Sequence, residues 1–186
     1  DNPADWQRAE WVVFHGGLEM VRPAAVRRPL PKKTALLVLD FDGVLTYNRV
    51  WTDLDGREFV ASSKSDSMGL SLLQNAGVQA VVLSSETNGV VAARCQKIKV
   101  PYLQGILDKP AVLKSMLAEH GLDPAQVVYL GNDVNDTPCF PLVGCAVVTA
   151  DAEPEAKLAA DLILEHAGGQ GAIRELCRLI LARLGQ

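Results

Sequence analysis

A three-layer α/β fold, a Rossmann-like parallel sheet covered by helices on both faces, is predicted by three features of the sequence. Short runs that are apolar throughout recur from residue 34 onward, runs with helical spacing separate them, and polar residues gather directly behind the apolar runs. Strands buried on both faces read as continuous apolar segments, and their alternation with helices requires parallel crossovers.

The strand-length runs are ALLVLDF (35–41), QAVVLSS (79–85), VPYLQG (100–105), QVVYLG (126–131) and CAVVTA (145–150). Between them DSMGLSLLQNAG, TNGVVAARCQKIK and KPAVLKSMLAEHG carry apolar residues three and four apart, and two of the three end at a glycine. A C-terminal helix with Ile173, Leu176, Ile180 and Leu184 on one stripe is expected to close the core. The rhythm breaks once: RVWTDLDGREFVAS (49–62) reads as a β-hairpin around the turn signal DLDG, directly after the first core strand. Its Val50, Trp51, Phe59 and Val60 suit an oligomer contact better than a lid. Residues 1–33 stand apart. DNPADWQRAEWVVF fits a capped helix, with Asn2 or Asp5 as the cap and Pro3 in the first turn. RPAAVRRPLPKK reads as a linker whose basic part, 26–33, is solvated. Because the chain starts without a methionine, a fragment of something longer is expected, with the folded domain over 34–186.

At 186 residues and 48% hydrophobic the chain can bury a substantial core. No apolar run approaches the roughly 20 residues that span a bilayer, and no charged-then-apolar leader opens the sequence, so a cytoplasmic protein without a membrane partner is expected. A net charge of −4 argues against nucleic acid, whose phosphates demand a basic face. Cys95, Cys139, Cys145 and Cys177 form no Cys-x-x-Cys pair and are expected as buried thiols; His15, His120 and His166 make no ligand pattern.

Ligands of open α/β sheets bind beyond the carboxyl ends of the strands. The residues that follow successive strands are Asp40 and Asp42, then Ser84, then Asp108 and Lys109, then Asn132, Asp133, Asn135 and Asp136. Asp40 and Asp42 are two apart, so in extended chain both would face one side, while Gly43 lets the chain turn away. Like charges that close need a cation or a shared proton. Oxygen ligands from GNDVND would complete a cage that suits Mg²⁺. Lys109 supplies a fixed positive charge and Ser84 a hydroxyl donor, which together with a carboxylate nucleophile are the parts of a phosphoryl-transfer site.

DFDGVLT, Ser84, Lys109 and GNDVND, in that order over residues 35–186, resemble the four motifs of the haloacid dehalogenase superfamily of phosphatases. The hairpin after the first motif, SDSMG (65–69), QGILDK (104–109) and GGQGAIRE (168–175) resemble its branch without a cap domain. That branch contains 3-deoxy-octulosonate 8-phosphate phosphatase and the sialic-acid 9-phosphate phosphatases. The resemblance implies a homotetramer with hairpins meeting at its centre and each site covered by a neighbour. It implies that Asp40 attacks phosphorus to form an aspartyl-phosphate, and that Asp42 protonates the leaving oxygen and then activates water. It also implies Mg²⁺ held by the Asp40 carboxylate, the Asp42 carbonyl and the Asn132–Asp133 loop, with Asn135 and Asp136 supporting that loop, and Ser84 and Lys109 on the phosphoryl oxygens. Asn132 departs from the Asp common at the first position of this loop in relatives, which weakens one ligand.

SSETNGVVAARCQKIKVP (84–101) resembles the sialic-acid side of the branch, and also the C-terminal module of acylneuraminate cytidylyltransferases. This implies that Glu86 accepts hydroxyls of a nine-carbon chain and that Arg94 and Lys97 hold its carboxylate, with Gly43, Ser85 and Asp66 as further substrate contacts. DNPADWQRAEWVV is similar to the closing helix of a cytidylyltransferase domain, so residues 1–33 are expected as a remnant of one. The expected activity is Mg²⁺-dependent hydrolysis of an eight- or nine-carbon 2-keto sugar acid phosphate. The alternative is a catalytically silent tetramerisation module, which the presence of both Asp40 and Asp42 disfavours.

Overall fold

The computed structural model describes residues 27–185. The expected N-terminal helix and the first part of the linker lie outside the described residues. Six strands form one sheet in the order β5-β4-β1-β6-β7-β8, with every pair parallel. They are β1 (Leu36–Leu39), β4 (Gln79–Leu83), β5 (Tyr102–Leu103), β6 (Val127–Gly131), β7 (Cys145–Val148) and β8 (Leu162–Ile163). β2 (Thr46–Thr52) and β3 (Glu58–Ser62) pair separately as the antiparallel hairpin, closed by a turn in which Asp53 Oδ1 accepts from the amides of Asp55 and Arg57. The helices are α1 (Lys64–Asn75), α2 (Val90–Ile98), α3 (Lys109–Glu119), α4 (Pro154–Ala159) and α5 (Ala172–Arg183).

Alternate residues of each strand feed two cores. Leu37, Leu39, Val82, Val128 and Leu130 pack against Leu70 and Leu73 of α1, Val91 and Cys95 of α2 and Leu176 and Ile180 of α5. Leu36, Val38, Val81, Leu83 and Tyr129 pack against Leu113 and Leu117 of α3, Phe140 and, on α4, Ala156. The expected three layers are therefore present, and all four cysteines are buried free thiols.

Three details depart from expectation. β5 is two residues long rather than six, because it is an edge strand entered through Pro101, which has no N–H to give a ladder. β8, too short to register as an apolar run, forms the other edge. The basic run at 26–33 is not simply a solvated linker. Arg28 lies 2.7 Å from Asp161 Oδ2, donates to the carbonyls of Phe140 and Val143, and so straps the chain onto β7 before β1 begins.

The chain leaves β1 toward β4 and β5, then returns to place β6, β7 and β8 on β1's other side. The crevice between the carboxyl ends of β1 and β6 is thus the topological switch point, where ligands of such sheets bind. The Asp40 amide donates to the Leu130 carbonyl at 3.0 Å, fixing the two strand ends side by side.

Candidate active site

Asp40 follows β1 directly and is buried, with its Oδ1 accepting from the Phe41 amide at 2.7 Å. Lys109, the first residue of α3, is only 2% exposed despite its charge. Its Nζ lies 2.9 Å from Asp40 Oδ1 and 2.8 Å from Asp136 Oδ1. Burying an ammonium at this depth is tolerable only when it is paired in this way. Burial alone would lower the Lys109 pKa, but the two carboxylates outweigh it and raise it, so the lysine stays charged. Burial, reinforced by Asp136, pushes Asp40 up to about 7 against the pull of Lys109 and the Phe41 amide.

Asp136 organises the loop after β6. Besides Lys109 it accepts from the Tyr129 hydroxyl at 2.8 Å, the Asn132 amide at 2.9 Å and the Asp133 amide at 3.4 Å. It has no exposed surface, and a side chain on Gly131 would overlap it. Asn135 is exposed and lies on the outside of the same turn.

Asp42 reaches the site by a different route from the expected extended one. The chain turns helically after Asp40, with the Leu45 amide donating to the Phe41 carbonyl at 2.9 Å, and Gly43 takes a φ of +72°. Thr46 Oγ1 donates to Asp42 Oδ1 at 3.3 Å. Burial first, then the charge of Glu86, raise the Asp42 pKa, against the Thr46 hydrogen bond. A carboxyl held toward its protonated form suits a group that must give a proton to a leaving oxygen. Gly43 packs so closely on Asn132 that a Cβ would overlap the amide side chain. That contact brings the β1 turn and the β6 loop together.

Ser84 is buried at the end of β4, where its hydroxyl accepts from the Glu86 amide at 3.1 Å. Ser85 is half-buried beside it. Glu86 Oε1 accepts from the amides of Thr87 and Asn88, and the Asn88 side chain donates to Glu58 of the hairpin at 2.8 Å. Arg94 is turned toward the start of α1, where it donates to the Ser63 carbonyl and the Ser67 hydroxyl. Lys97 is exposed on the outer face of α2. Asp66 is not brought to the site: it is buried and caps α5, accepting from the amides of Gly171 and, at 2.8 Å, Arg174. Both its oxygens are taken up by a helix start that otherwise lacks a side-chain cap.

Sequence reasoning passed over Tyr129 and Thr46. Tyr129 is the one polar-tipped residue in the apolar run VVYLG, which was the available signal. Thr46 closes the DFDGVLT segment but acts on a residue four positions earlier, which strand spacing hides.

The donor set accepts a divalent cation. Lys109 carries one positive charge against Asp40 and Asp136, before Asp42 and Asp133 are counted. Asn132 Oδ1 is buried and finds no hydrogen-bond partner among the described residues. A buried amide oxygen without a donor is costly unless something cationic meets it. Carboxylate, amide and backbone oxygens are the ligands of a hard ion.

A family model described as haloacid dehalogenase-like hydrolase matches residues 103–176. The 3-deoxy-D-manno-octulosonate 8-phosphate phosphatase KdsC of Escherichia coli K12 is 32% identical over 152 residues, 81% of each chain. Among solved structures, a protein from Streptomyces avermitilis assigned to the HAD family hydrolases is 45% identical with a TM-score of 0.80, over 83% of this chain and 88% of that one. The 3-deoxy-D-manno-octulosonate 8-phosphate phosphatase of Moraxella catarrhalis, in complex with magnesium, phosphate and KDO, is 25% identical with a TM-score of 0.80, over 83% and 89%. These likenesses make the chain a haloacid dehalogenase-like phosphatase, and the aspartates, the buried lysine and the amide-bearing loop stand at the β1/β6 switch point of its sheet. Within that superfamily the chain belongs to the capless KdsC-like branch.

Proposed function

We propose that the chain is a Mg²⁺-dependent hydrolase of an eight- or nine-carbon 2-keto-3-deoxy sugar acid phosphate, acting through an aspartyl-phosphate. The observation that carries this reading is the Asp40–Lys109–Asp136 array, with the orphaned Asn132 oxygen beside it. The Asp40 carboxylate attacks phosphorus while the bond from phosphorus to the sugar oxygen breaks, and Asp42 gives its proton to that oxygen. Water then attacks the acyl phosphate, Asp42 takes the water proton, and inorganic phosphate leaves with Asp40 restored. Lys109 and Ser84 hold the phosphoryl oxygens, and Lys109 is kept in place by Asp136. Mg²⁺, held by the Asp40 carboxylate, the Asp42 carbonyl and Asn132, would neutralise charge on the phosphoryl oxygens when bound. Asp133 is the weaker candidate ligand, since its Oδ1 already accepts from the Val134 amide at 2.6 Å.

The substrate class is supported by the activities of the relatives and by Glu86, whose charge bears on Asp42. Arg94 and Lys97 follow Glu86 on α2 and are the groups proposed for the sugar carboxylate, which requires Arg94 to turn from Ser63 and Ser67 when substrate enters. The exposed Val50, Trp51, Leu54 and Phe59 on the hairpin support assembly into a homotetramer. Phosphate release is measured with Mg²⁺ from Kdn 9-phosphate, N-acetylneuraminate 9-phosphate and 3-deoxy-octulosonate 8-phosphate, with Asp40→Asn as the blank. Turnover of at least one is expected, and release no greater than the blank from all three sinks the reading.

A further inference from the structure

The GGQG segment (168–171) lies between β8 and α5, far along the chain from Asp42, and it is packed directly behind the turn that carries Asp42. Gly168 is buried so closely on the Gly43 carbonyl that a methyl group on its α-carbon would overlap that peptide. Gly169, at a φ of +64°, is pressed in the same way against the Thr46–Tyr47 peptide, and its amide donates to the Val44 carbonyl at 2.9 Å. Gly43 in turn meets the Asn132 side chain with the same lack of space. The Asp42 turn is therefore in tight contact with two walls, the loop after β6 and Gly168–Gly169. Carboxylates anchor the second wall at both ends: Asp151 accepts from the Gly168 amide at 3.0 Å, and Asp66 from the amides of Gly171 and Arg174.

We propose that Gly168 and Gly169 are positioning residues, a backstop from the same chain that sets where the Gly43–Tyr47 turn, and through Thr46 the Asp42 carboxyl, stands relative to the Asn132 loop. The path is short. Gly169 backs the Thr46 peptide, and Thr46 Oγ1 donates to Asp42 Oδ1. Asp42 must serve two steps, giving a proton to one oxygen and taking one from another, so its location tolerates little error. A displacement of about 1 Å can lower the rate on the order of 100-fold. Only glycine gives the approach that both walls need, which accounts for the pair of glycines at 168 and 169.

This inference rests on the phosphatase reading for its catalytic consequence but not for its structural one, and the test separates the two. Gly168→Ala and Gly169→Ala are compared with Gly144→Ala, which also forces a methyl group onto backbone, at Ala125, but at the opposite end of the strands. Asp151→Ala is a milder companion that releases the Gly168 amide without adding a clash. Hydrogen exchange is followed by mass spectrometry over residues 40–48, and kcat and KM are measured per folded molecule at saturating Mg²⁺. In Gly168→Ala, Gly169→Ala and Asp151→Ala, exchange at 43–47 is expected to quicken. In the two glycine variants kcat falls about 10- to 100-fold with KM changed much less. Gly144→Ala loses stability but keeps kcat and the exchange of 43–47. Exchange at 43–47 unchanged in Asp151→Ala and in whichever glycine variants fold, or quickened equally in Gly144→Ala, overturns the proposal. Should the wild type release no phosphate from the three sugar phosphates, the phosphatase reading falls while the exchange comparison still decides the backstop.

Discussion

Asp136 Oδ1 lies 2.8 Å from Lys109 Nζ, across 27 residues of sequence, and neither side chain has more than a trace of exposed surface. The pair carries the β6 loop and the first residue of α3 as one unit, so that Lys109 meets Asp40 without being able to swing away. Asp136→Asn keeps the shape and removes the charge. The buried lysine is left with Asp40 alone, and the expected cost is about 3 kcal/mol, read from urea unfolding midpoints. Phosphate release per folded molecule is expected to fall as well, because the lysine then binds Asp40 more tightly and the phosphoryl group less.

Tyr129→Phe tests the same oxygen from the other side. The substitution removes one neutral donor from Asp136 while Lys109 and the two loop amides remain. A loss of about 1 kcal/mol is expected in the same unfolding experiment. Since Tyr129 reaches the reacting atoms only through Asp136, its removal should cost much less activity than Asp136→Asn. A loss as large as that of Asp136→Asn would show that the hydroxyl, not the ammonium, orders the loop.

The sheet and the order of the site residues were legible because both depend on local pattern: ALLVLDF and QVVYLG are apolar throughout, and the polar residues after them can only lie at strand ends. Partnerships between distant residues were not. Asp66 stands at the start of a helical run and is expected, from the resemblance, to touch the substrate, yet both of its oxygens cap a helix that starts more than 100 residues later. Arg28 looks like one charge in a basic linker until Asp161 is seen beneath it. The helical turn that brings Asp42 round was hidden for a related reason, since spacing of two implies one face only while the chain stays extended, and Gly43 ends that.

The Arg28–Asp161 contact should appear in the acid limb of the stability curve. Burial alone would raise the Asp161 pKa, but the Arg28 side chain and the amides of Ala146 and Arg28 outweigh it and hold the carboxyl below its ordinary value of 3.8. The folded state therefore favours the ionised form. Its contribution is complete well above pH 4 and fades as pH falls below that value, because the unfolded chain takes up the proton first. Thermal unfolding is compared for the wild type and Asp161→Asn between pH 7 and pH 3. The wild type is expected to be more stable at pH 7, and the gap should narrow toward pH 3. A gap that stayed constant would mean that the carboxylate's charge contributes nothing there.

The metal ligand on the β6 loop can be decided by charge. Asn132 offers a neutral amide oxygen that is buried and without a partner, whereas Asp133 already uses Oδ1 on the Val134 amide. If Asn132 is the ligand, Asn132→Asp adds a full negative charge at the ion and should tighten Mg²⁺ by roughly tenfold, about 1.4 kcal/mol. Asn132→Ala should weaken it, and Asp133→Asn should change it little. Chelation with EDTA should remove phosphate release from the wild type, with added Mg²⁺ restoring it. The readouts are the Mg²⁺ concentration for half-maximal phosphate release and the Mg²⁺-dependent rise in unfolding temperature, the second of which needs no substrate. Weakening by Asp133→Asn with no gain from Asn132→Asp would assign the ligand to Asp133. The amide of Asn132 would then act only through its contact with Gly43.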